Sequence, residues 1–224
     1  MTTPYTLTRT KRKTIALYIR NGSLFVRAPL KTPVRDIDRF IASKEKWIKS
    51  KLEASSTRQA QREKFTLTYG DSILFRGKQY PIAARDGSRA GFADGQFFMP
   101  PGLDPEQIKH VCIQLYRMLA KRDLVNRVSS FAKQMSVAPA AVKISGAKAR
   151  WGSCSAKKSL NFSWRLAMAD DDVIDYMVVH ELAHIIEMNH SARFWAIVEG
   201  ILPDYKIREK RLVELQKKLG AEDW

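Results

Sequence analysis

The spacing of apolar and polar residues divides the chain into a β-rich first hundred residues and a more helical remainder. Residues 14–20 alternate roughly between apolar and polar positions and run into Asn21-Gly22, a dipeptide typical of hairpin turns. Residues 24–28 then return as the partner strand. Further short strands, each ending near a Gly or Asp turn signal, are predicted at residues 65–69, 72–76, 79–84 and 96–99.

Helical spacing appears first at residues 34–55, where apolar side chains recur on one face and predict a single helix, followed by a polar link at 59–64. A long helix is predicted from Asp104 to about Met135, with Pro105 in its first turn, where a missing amide hydrogen costs nothing. Short strands are expected at residues 142–144, 149–152 and 159–166. Two more helices are expected, one starting at Asp171 and one over residues 207–219.

Pro100-Pro101-Gly102 separates these two parts of the pattern and marks a plausible boundary. The sequence therefore predicts an α+β protein with two parts. Residues 1–100 form a small N-terminal β-rich unit with one helix, and residues 101–224 form a second domain. Residues 160–164 are a candidate rim strand to which an extended peptide could add, although an ordinary sheet strand is an equal reading.

Residues 180–190 read HELAHIIEMNH and contain three of the four histidines of the chain. Positions four apart lie on one face of a helix, so His180 and His184 can direct their imidazoles to a common point. Glu181 lies beside them, as in the H-E-x-x-H arrangement of zinc hydrolases. His190 can complete a His₃ site with an open fourth position if Asn189 adopts the left-handed conformation and turns the chain back.

A bare H-E-x-x-H match also arises by chance on amphipathic helices. Here the other faces of the helix are apolar, and buried histidine and glutamate are costly unless something satisfies them, which favours a metal site. Glu199 and Asp204 remain alternatives to His190 as third ligand. Cys154 is not favoured as a nucleophile, because the nearby histidines are better explained by metal.

The predicted chemistry is metal-assisted hydrolysis of a protein or peptide substrate. Zn²⁺ held by neutral imidazoles lowers the pKa of its water to about 7, and Glu181 accepts the proton of that water as general base. A donor is also needed for the developing oxyanion, and Tyr205, Arg150 and Asn161 are the candidates. Asn189 is expected to orient a ligand histidine.

Net charge adds a second expectation about partners. The chain has 39 Lys and Arg against 23 Asp and Glu, a net charge of +16, and a pI near 10.0. Such an excess favours nucleic acid or another polyanion as a partner, although a well-solvated basic surface explains it equally well. Two cysteines, no secretory signal and no long apolar run indicate a cytoplasmic protein without a membrane partner.

Two other function classes use the same residues differently. A metal in a basic cleft could hydrolyse a nucleotide phosphoanhydride, although the chain lacks the glycine-rich loop that cradles phosphates. Alternatively, the zinc is structural in a nucleic-acid-binding protein, but structural sites usually have four protein ligands. Glu181→Gln separates a hydrolase from a binding protein, because it should abolish hydrolysis yet keep zinc, whereas a binding protein would be indifferent to it.

Several segments together resemble the YgjP-like metallopeptidase family, which is related to the SprT-like zinc metalloproteases. They are RWGSCS at 150–155, YMVVHELAH at 176–184, NHS at 189–191, PDY at 203–205 and, near the start of the chain, RKTIAL at 12–17. The resemblance implies a zincin-like catalytic domain with His180, His184 and His190 as zinc ligands and Glu181 as catalytic glutamate. The glycine that metzincins have three residues after the second histidine is Glu187 here, so the return to His190 must use a different turn.

Overall fold

The computed structural model of the chain describes residues 3–224, so residues 1 and 2 of the predicted N-terminal unit lie outside the described residues. The described chain forms two compact units. The first ends at Phe65 and takes in Lys218–Asp223, and the second comprises Thr66–Lys217 with Trp224. Both units combine helices with small sheets, so the predicted α+β class is confirmed.

The first unit contains the strands β1 (Tyr5–Thr10), β2 (Ala16–Arg20) and β3 (Ser23–Pro29) and the helices α1 (Val34–Ser43) and α2 (Glu45–Glu63). The strands form a sheet in the order β1-β3-β2, in which β3 pairs with β1 in parallel and with β2 antiparallel. Asn21 (φ 47°) and Gly22 (φ 70°) both have positive φ, which matches the hairpin turn predicted between β2 and β3.

The predicted helix over residues 34–55 is two helices that meet at Lys44, whose φ of −113° interrupts the helical backbone. α2 then continues through the predicted polar link to Glu63. Ile37, Ile41 and Ile48 are all buried on the sheet residues of this unit. The apolar spacing thus continues across the break, which is why the pattern alone does not reveal it.

The strands of the second unit are β4 (Ser72–Phe75), β5 (Lys78–Ala84), β6 (Gly91–Ala93), β7 (Gln96–Met99), β8 (Ala141–Ser145), β9 (Gly152–Cys154) and β10 (Ser159–Ser163). They form a four-stranded sheet in the order β4-β5-β7-β6 and a three-stranded sheet in the order β8-β10-β9. Its helices are α3 (Pro105–Gln134), α4 (Asp171–Ala183), α5 (Ala192–Ile201) and α6 (Tyr205–Leu219), with a 3₁₀ helix at Trp164–Met168.

The two units divide after Phe65, whereas the sequence pattern predicted a boundary after residue 100. β4–β7 belong to the second unit because they pack on α3. Tyr116 of α3 donates its hydroxyl to the backbone oxygen of Leu74 at 2.6 Å, and its ring lies 5.5 Å from that of Phe97. The strand predicted at residues 65–69 is not formed.

β10 corrects the prediction of a rim strand at residues 160–164. It is the middle strand of its sheet, parallel to β8 and antiparallel to β9, so both of its edges are occupied. Its strand conformation also ends at Ser163, where the 3₁₀ helix begins. The edge of this sheet beside α4 is formed by β9 instead.

α4 is the helix that positions the site. Its N-terminus carries Asp171 and Asp172, which complement the helix dipole, and Arg127 of α3 pairs with Asp171 and Asp175. Its middle is buried, including Val178, whose side chain is inaccessible to solvent. No helix within residues 3–224 is long and apolar enough to cross a membrane.

Candidate active site

α4 brings the first two histidines of the H-E-x-x-H segment together. His180 lies in its last turn and His184 is the residue that caps it. Because the two are four residues apart, they lie on one face, and their ring centroids are 5.1 Å apart. Both side chains are partly buried, whereas His190 is exposed.

The chain returns to the site through a turn that begins earlier than expected. α4 ends at Ala183, and the amides of Ile185 and Ile186 bond to Leu182 and Ala183 at 3.0 Å. The prediction that Asn189 turns the chain in the left-handed conformation is wrong, since its φ is not positive. An early helix end leaves residues 184–189 to make the turn with ordinary backbone angles, so no glycine is required.

His190 completes a cluster of three imidazoles. One ring nitrogen from each of His180, His184 and His190 lies within 4.8 Å of the other two. The Nε2 atoms of His180 and His190 are 3.1 Å apart. The ring centroid of His190 lies 5.0 Å from that of His180 and 4.7 Å from that of His184.

His184 is oriented by the backbone of the turn. Its Nδ1 lies 3.2 Å from the carbonyl oxygen of Glu187, which accepts a hydrogen bond when Nδ1 carries the proton. This tautomer leaves Nε2 with a lone pair for a metal, the usual arrangement for ligating histidines. Glu187, which stands where metzincins have glycine, therefore acts through its backbone oxygen.

One buried polar atom at the site fits a bound cation with its water better than an empty apolar pocket. Within the described residues, Glu181 Oε2 is buried without a hydrogen-bond partner. His180 Nδ1 is likewise unpaired, but it lies across the ring from Nε2, the nitrogen that faces His190. Buried polar atoms are nearly always satisfied in native proteins, and exceptions are often explained by a metal ion or water. Three converging imidazoles are a donor set suited to zinc and other divalent transition metals.

Electrostatics keep the first two imidazoles neutral near neutral pH. Burial, together with the nearby His184 and His190, lowers the pKa of His180 to about 3. Burial also lowers the pKa of His184. Since only the neutral ring can bind a metal, these shifts keep His180 and His184 ready to bind one at pH 7.

Glu181 lies beside the cluster on the buried side of α4, with only 3% of its surface exposed. Burial raises the pKa of its carboxyl to about 8, and the positive charge of Arg150 partly opposes this shift. The carboxyl packs against β9, where a Cβ on Gly152 would lie 2.5 Å from Oε1 and 2.7 Å from Cγ. Only glycine at 152 leaves room for Glu181 in this position.

Aromatic rings pack against the three histidines, and the part that Phe194 plays among them was not predicted from the sequence. Phe194 is fully buried, with its ring centroid 4.5–5.0 Å from all three imidazoles. The Trp195 ring stacks on His190 at 5.7 Å. The feature of the sequence that could have predicted this position is Ser191, a typical N-cap residue. Its side chain accepts a hydrogen bond from the Phe194 amide at 3.3 Å and caps α5. Phe194 therefore lies one helical turn after the third histidine.

The model of the YgjP-like metallopeptidase domain matches residues 13–215, which is most of the chain. The chain belongs to the YgjP-like metallopeptidase family. The match spans both compact units and the whole histidine cluster. Membership implies a divalent metal, and the predicted family is confirmed.

A solved structure with partial likeness is the metallopeptidase zymogen of Pyrococcus abyssi abylysin. It is 22% identical, with a TM-score of 0.38, and the match covers 41% of this chain and 92% of that one. None of the curated proteins matches the chain.

The three residues predicted from the sequence as candidate oxyanion donors lie in different surroundings. Arg150 is exposed and close enough to influence the carboxyl of Glu181. Tyr205 is 7% exposed and stacks on Trp195 at 5.2 Å, one ring away from His190. Asn161 lies on β10 opposite Ser153 of β9.

Asn189 is exposed, and its backbone amide lies 3.5 Å from Oε1 of Glu187. Among the described residues, its side chain makes no hydrogen bond to a histidine, so its predicted orienting role has no support in the contacts.

The alternative ligands and nucleophile lie in other environments. Asp204 pairs with Arg208 at 2.9 Å, and the hydrogen bond from Arg208 lowers the pKa of its carboxyl. Glu199 is exposed on α5 and is not part of the three-histidine group. Burial raises the pKa of the Cys154 thiol, as does the charge of Glu181, which opposes a reactive thiolate.

Proposed function

We propose that this chain is a zinc-dependent peptidase in which His180, His184 and His190 hold the ion and Glu181 is the general base. The convergence of three imidazole nitrogens within 4.8 Å carries the proposal, because it leaves a fourth position open. When bound, zinc polarises the scissile carbonyl and lowers the pKa of a coordinated water to about 7.

The residues of the chain supply the proton transfer. Glu181 Oε2 has no hydrogen-bond partner among the described residues and is free to accept a proton and deliver it to the leaving amine. Beside a divalent cation its carboxyl ionises at lower pH than in the metal-free protein, since opposite charge favours the charged form. Gly152 keeps the carboxyl in position from the other side.

The open edge of β9 offers a place for an extended peptide. Ser163 donates its amide to Trp151, and Ser155 donates to Ser159, so the odd-numbered residues of this segment pair with β10. The amides of Gly152 and Cys154 then point to the unpaired edge, in the alternation of an antiparallel ladder. A substrate that pairs there would run beside Glu181, and this favours a peptide over a nucleotide as substrate.

The test combines metal content with proteolysis. We expect about one zinc per chain by mass spectrometry in wild type, sharply reduced in His190→Ala and retained in His110→Ala, which removes an exposed histidine from α3. Glu181→Gln should retain zinc and lose cleavage of a labelled unfolded protein substrate. Zinc-free, well-folded wild type, or a Glu181→Gln variant that cleaves normally, contradicts the proposal.

A further inference from the structure

The positive charge of the chain is concentrated in the first unit, away from the histidine segment in sequence. Residues 1–65 hold 16 Lys and Arg against five Asp and Glu, which accounts for 11 of the net charge of +16. A polyanion is therefore attracted mainly to this unit rather than to the metal-binding unit. A surface that binds a polyanion is therefore expected within residues 1–65.

Such a surface exists as a groove of about 860 Å³ between α2 and β2. Trp47, Lys51, Arg58 and Arg62 line it from α2 at spacings that place them on one helical face. Ser55 lies on the same face and accepts a hydrogen bond from the Gly22 amide at 3.2 Å, which holds the helix against the hairpin turn.

The groove presents four exposed cations: Arg20 from β2 and Lys51, Arg58 and Arg62 from α2. None of its lining residues in the described part of the chain is a carboxylate. Two of the arginines are oriented by one backbone bond each. Arg58 Nε donates to Ala54 at 3.1 Å, and Arg62 Nε donates to Gly220 at 2.8 Å. These bonds use one donor of each guanidinium and leave its charge unneutralised.

Aromatic rings accompany these cations. Trp47 is 44% exposed, although burial of a large aromatic side chain usually stabilises the folded state. Tyr18 lines the groove from β2, with the guanidinium carbons of Arg27 and Arg20 at 5.3 and 6.0 Å from its ring centre. An exposed Trp47 ring among unneutralised cations combines a surface on which a base can stack with a row of positive charge that can follow phosphates.

We infer that this groove binds single-stranded nucleic acid, with phosphates on Lys51, Arg58 and Arg62 and a base stacked on Trp47. The cations of α2 extend over roughly 16 Å of helix axis, enough to follow a short run of phosphates. An acidic peptide would use the cations but would leave the exposed Trp47 ring without a flat partner. A duplex keeps its bases stacked inside and offers none to the ring.

The test measures binding of a fluorescein-labelled oligothymidylate of about 15 nucleotides to the full chain by fluorescence anisotropy over a range of salt concentrations. Three phosphate contacts predict a slope of log K against log salt of about −2, from roughly −0.7 per phosphate contact on single strands. The same-sequence duplex and polyglutamate serve as competitors, and both should displace the oligonucleotide poorly.

Two groove variants and one matched control separate this site from a general basic surface. Trp47→Ala should weaken binding about tenfold, the effect of losing one stacked base. Lys51→Ala should weaken binding and reduce the salt slope by about 0.7, whereas Lys49→Ala, an exposed lysine of α2 outside the groove lining, should change neither. Circular dichroism checks that each variant is folded.

Equal losses in Lys49→Ala and Lys51→Ala, together with normal binding by Trp47→Ala, would overturn the inference in favour of diffuse charge attraction. Polyglutamate that competes as well as the oligonucleotide would overturn it in favour of an acidic protein partner. Each readout is independent of zinc and of hydrolysis, so a failure here leaves the proposed peptidase activity untouched.

Discussion

At the scale of single residues, the site depends on one missing side chain. Gly152 lies where any Cβ would collide with the Glu181 carboxyl at 2.5 Å, and Glu181 itself is 3% exposed. The carboxyl therefore cannot keep its position beside any larger residue at 152. Glycine is required at position 152 not by a turn but by the neighbouring Glu181 carboxyl, which occupies the space that a Cβ would need.

Gly152→Ala should displace Glu181 and lower kcat for peptide cleavage by about 100-fold while zinc content stays near wild type, because misplacement of a catalytic group by about 1 Å has such an effect. Gly200→Ala is the matched control. Gly200 lies in α5, and a methyl group added there would meet nothing within 4 Å, so the activity of this variant should be unchanged. Steady-state kinetics, together with a measurement of zinc content, tests this prediction. A normal kcat in Gly152→Ala would refute the steric argument.

The buried carboxyl also predicts a pH dependence of folding in the metal-free protein. The folded pKa of Glu181 is raised from 4.5 to about 8, so its contribution to stability is full below pH 4.5 and is lost as the pH rises to about 8. Between about pH 6 and pH 8 the loss amounts to about 2 kcal/mol.

Glu181→Gln cannot titrate at this position, so its free energy of unfolding should exceed that of chelator-treated wild type by a margin that grows with pH. Urea unfolding of both proteins at the two pH values measures that margin. A margin independent of pH would show that Glu181 is ionised in the folded protein throughout this range.

At the scale of elements, local signals in the sequence were sufficient wherever a short segment decides the structure. The positive φ values of Asn21 and Gly22, the start of α4 at Asp171 and the start of α3 at Pro105 were all predictable from local chemistry. The two-helix break at Lys44 was not, because the buried face continues through it.

The pairing of strands could also not be predicted from the sequence pattern. An apolar run predicts a buried strand, but not which strands pair on either side of it, and that is decided by contacts between distant segments. Residues 160–164 were thus placed at a rim, whereas β10 lies between β8 and β9. The spacing of His180 and His184 brought them together as predicted, while the convergence of His190 depended on a turn whose conformation was predicted incorrectly.

The prediction at the scale of elements concerns strand β9. Cys154→Pro removes an amide that faces the open edge and leaves the bonds to β10 intact, a position where edge strands tolerate proline. We expect kcat/KM for a long peptide to fall about tenfold, the effect of one lost substrate hydrogen bond, with zinc content unchanged. Cys154→Ala keeps the amide and should cleave normally. Equal effects of the two substitutions would exclude the strand-addition model.

At the scale of the whole molecule, metal and fold are linked in the second unit, because the three histidines come from the end of α4 and from the chain that follows it. The unfolded chain does not hold these rings together, so an ion that binds them favours the folded state. Metal binding should therefore stabilise the folded arrangement of α4 and the turn at residues 184–189.

Zinc should therefore raise the Tm of the chelator-treated protein. At a free concentration of about 100 times Kd, it should stabilise the folded state by about 2.7 kcal/mol. The shift should disappear in His190→Ala and persist in His110→Ala, as measured by scanning calorimetry. An equal shift in both variants would mean that zinc acts through a site elsewhere on the chain.

The bond from Arg62 to Gly220 joins residues 158 positions apart, and both belong to the first unit. During synthesis, α2 and the sheet beside it emerge from the ribosome long before residue 220 exists. The second unit is by then almost entirely translated. The groove that Arg62 lines thus reaches its final form only after residue 220 has been made, so its completion is a late step of folding although all of its lining residues lie within residues 17–62.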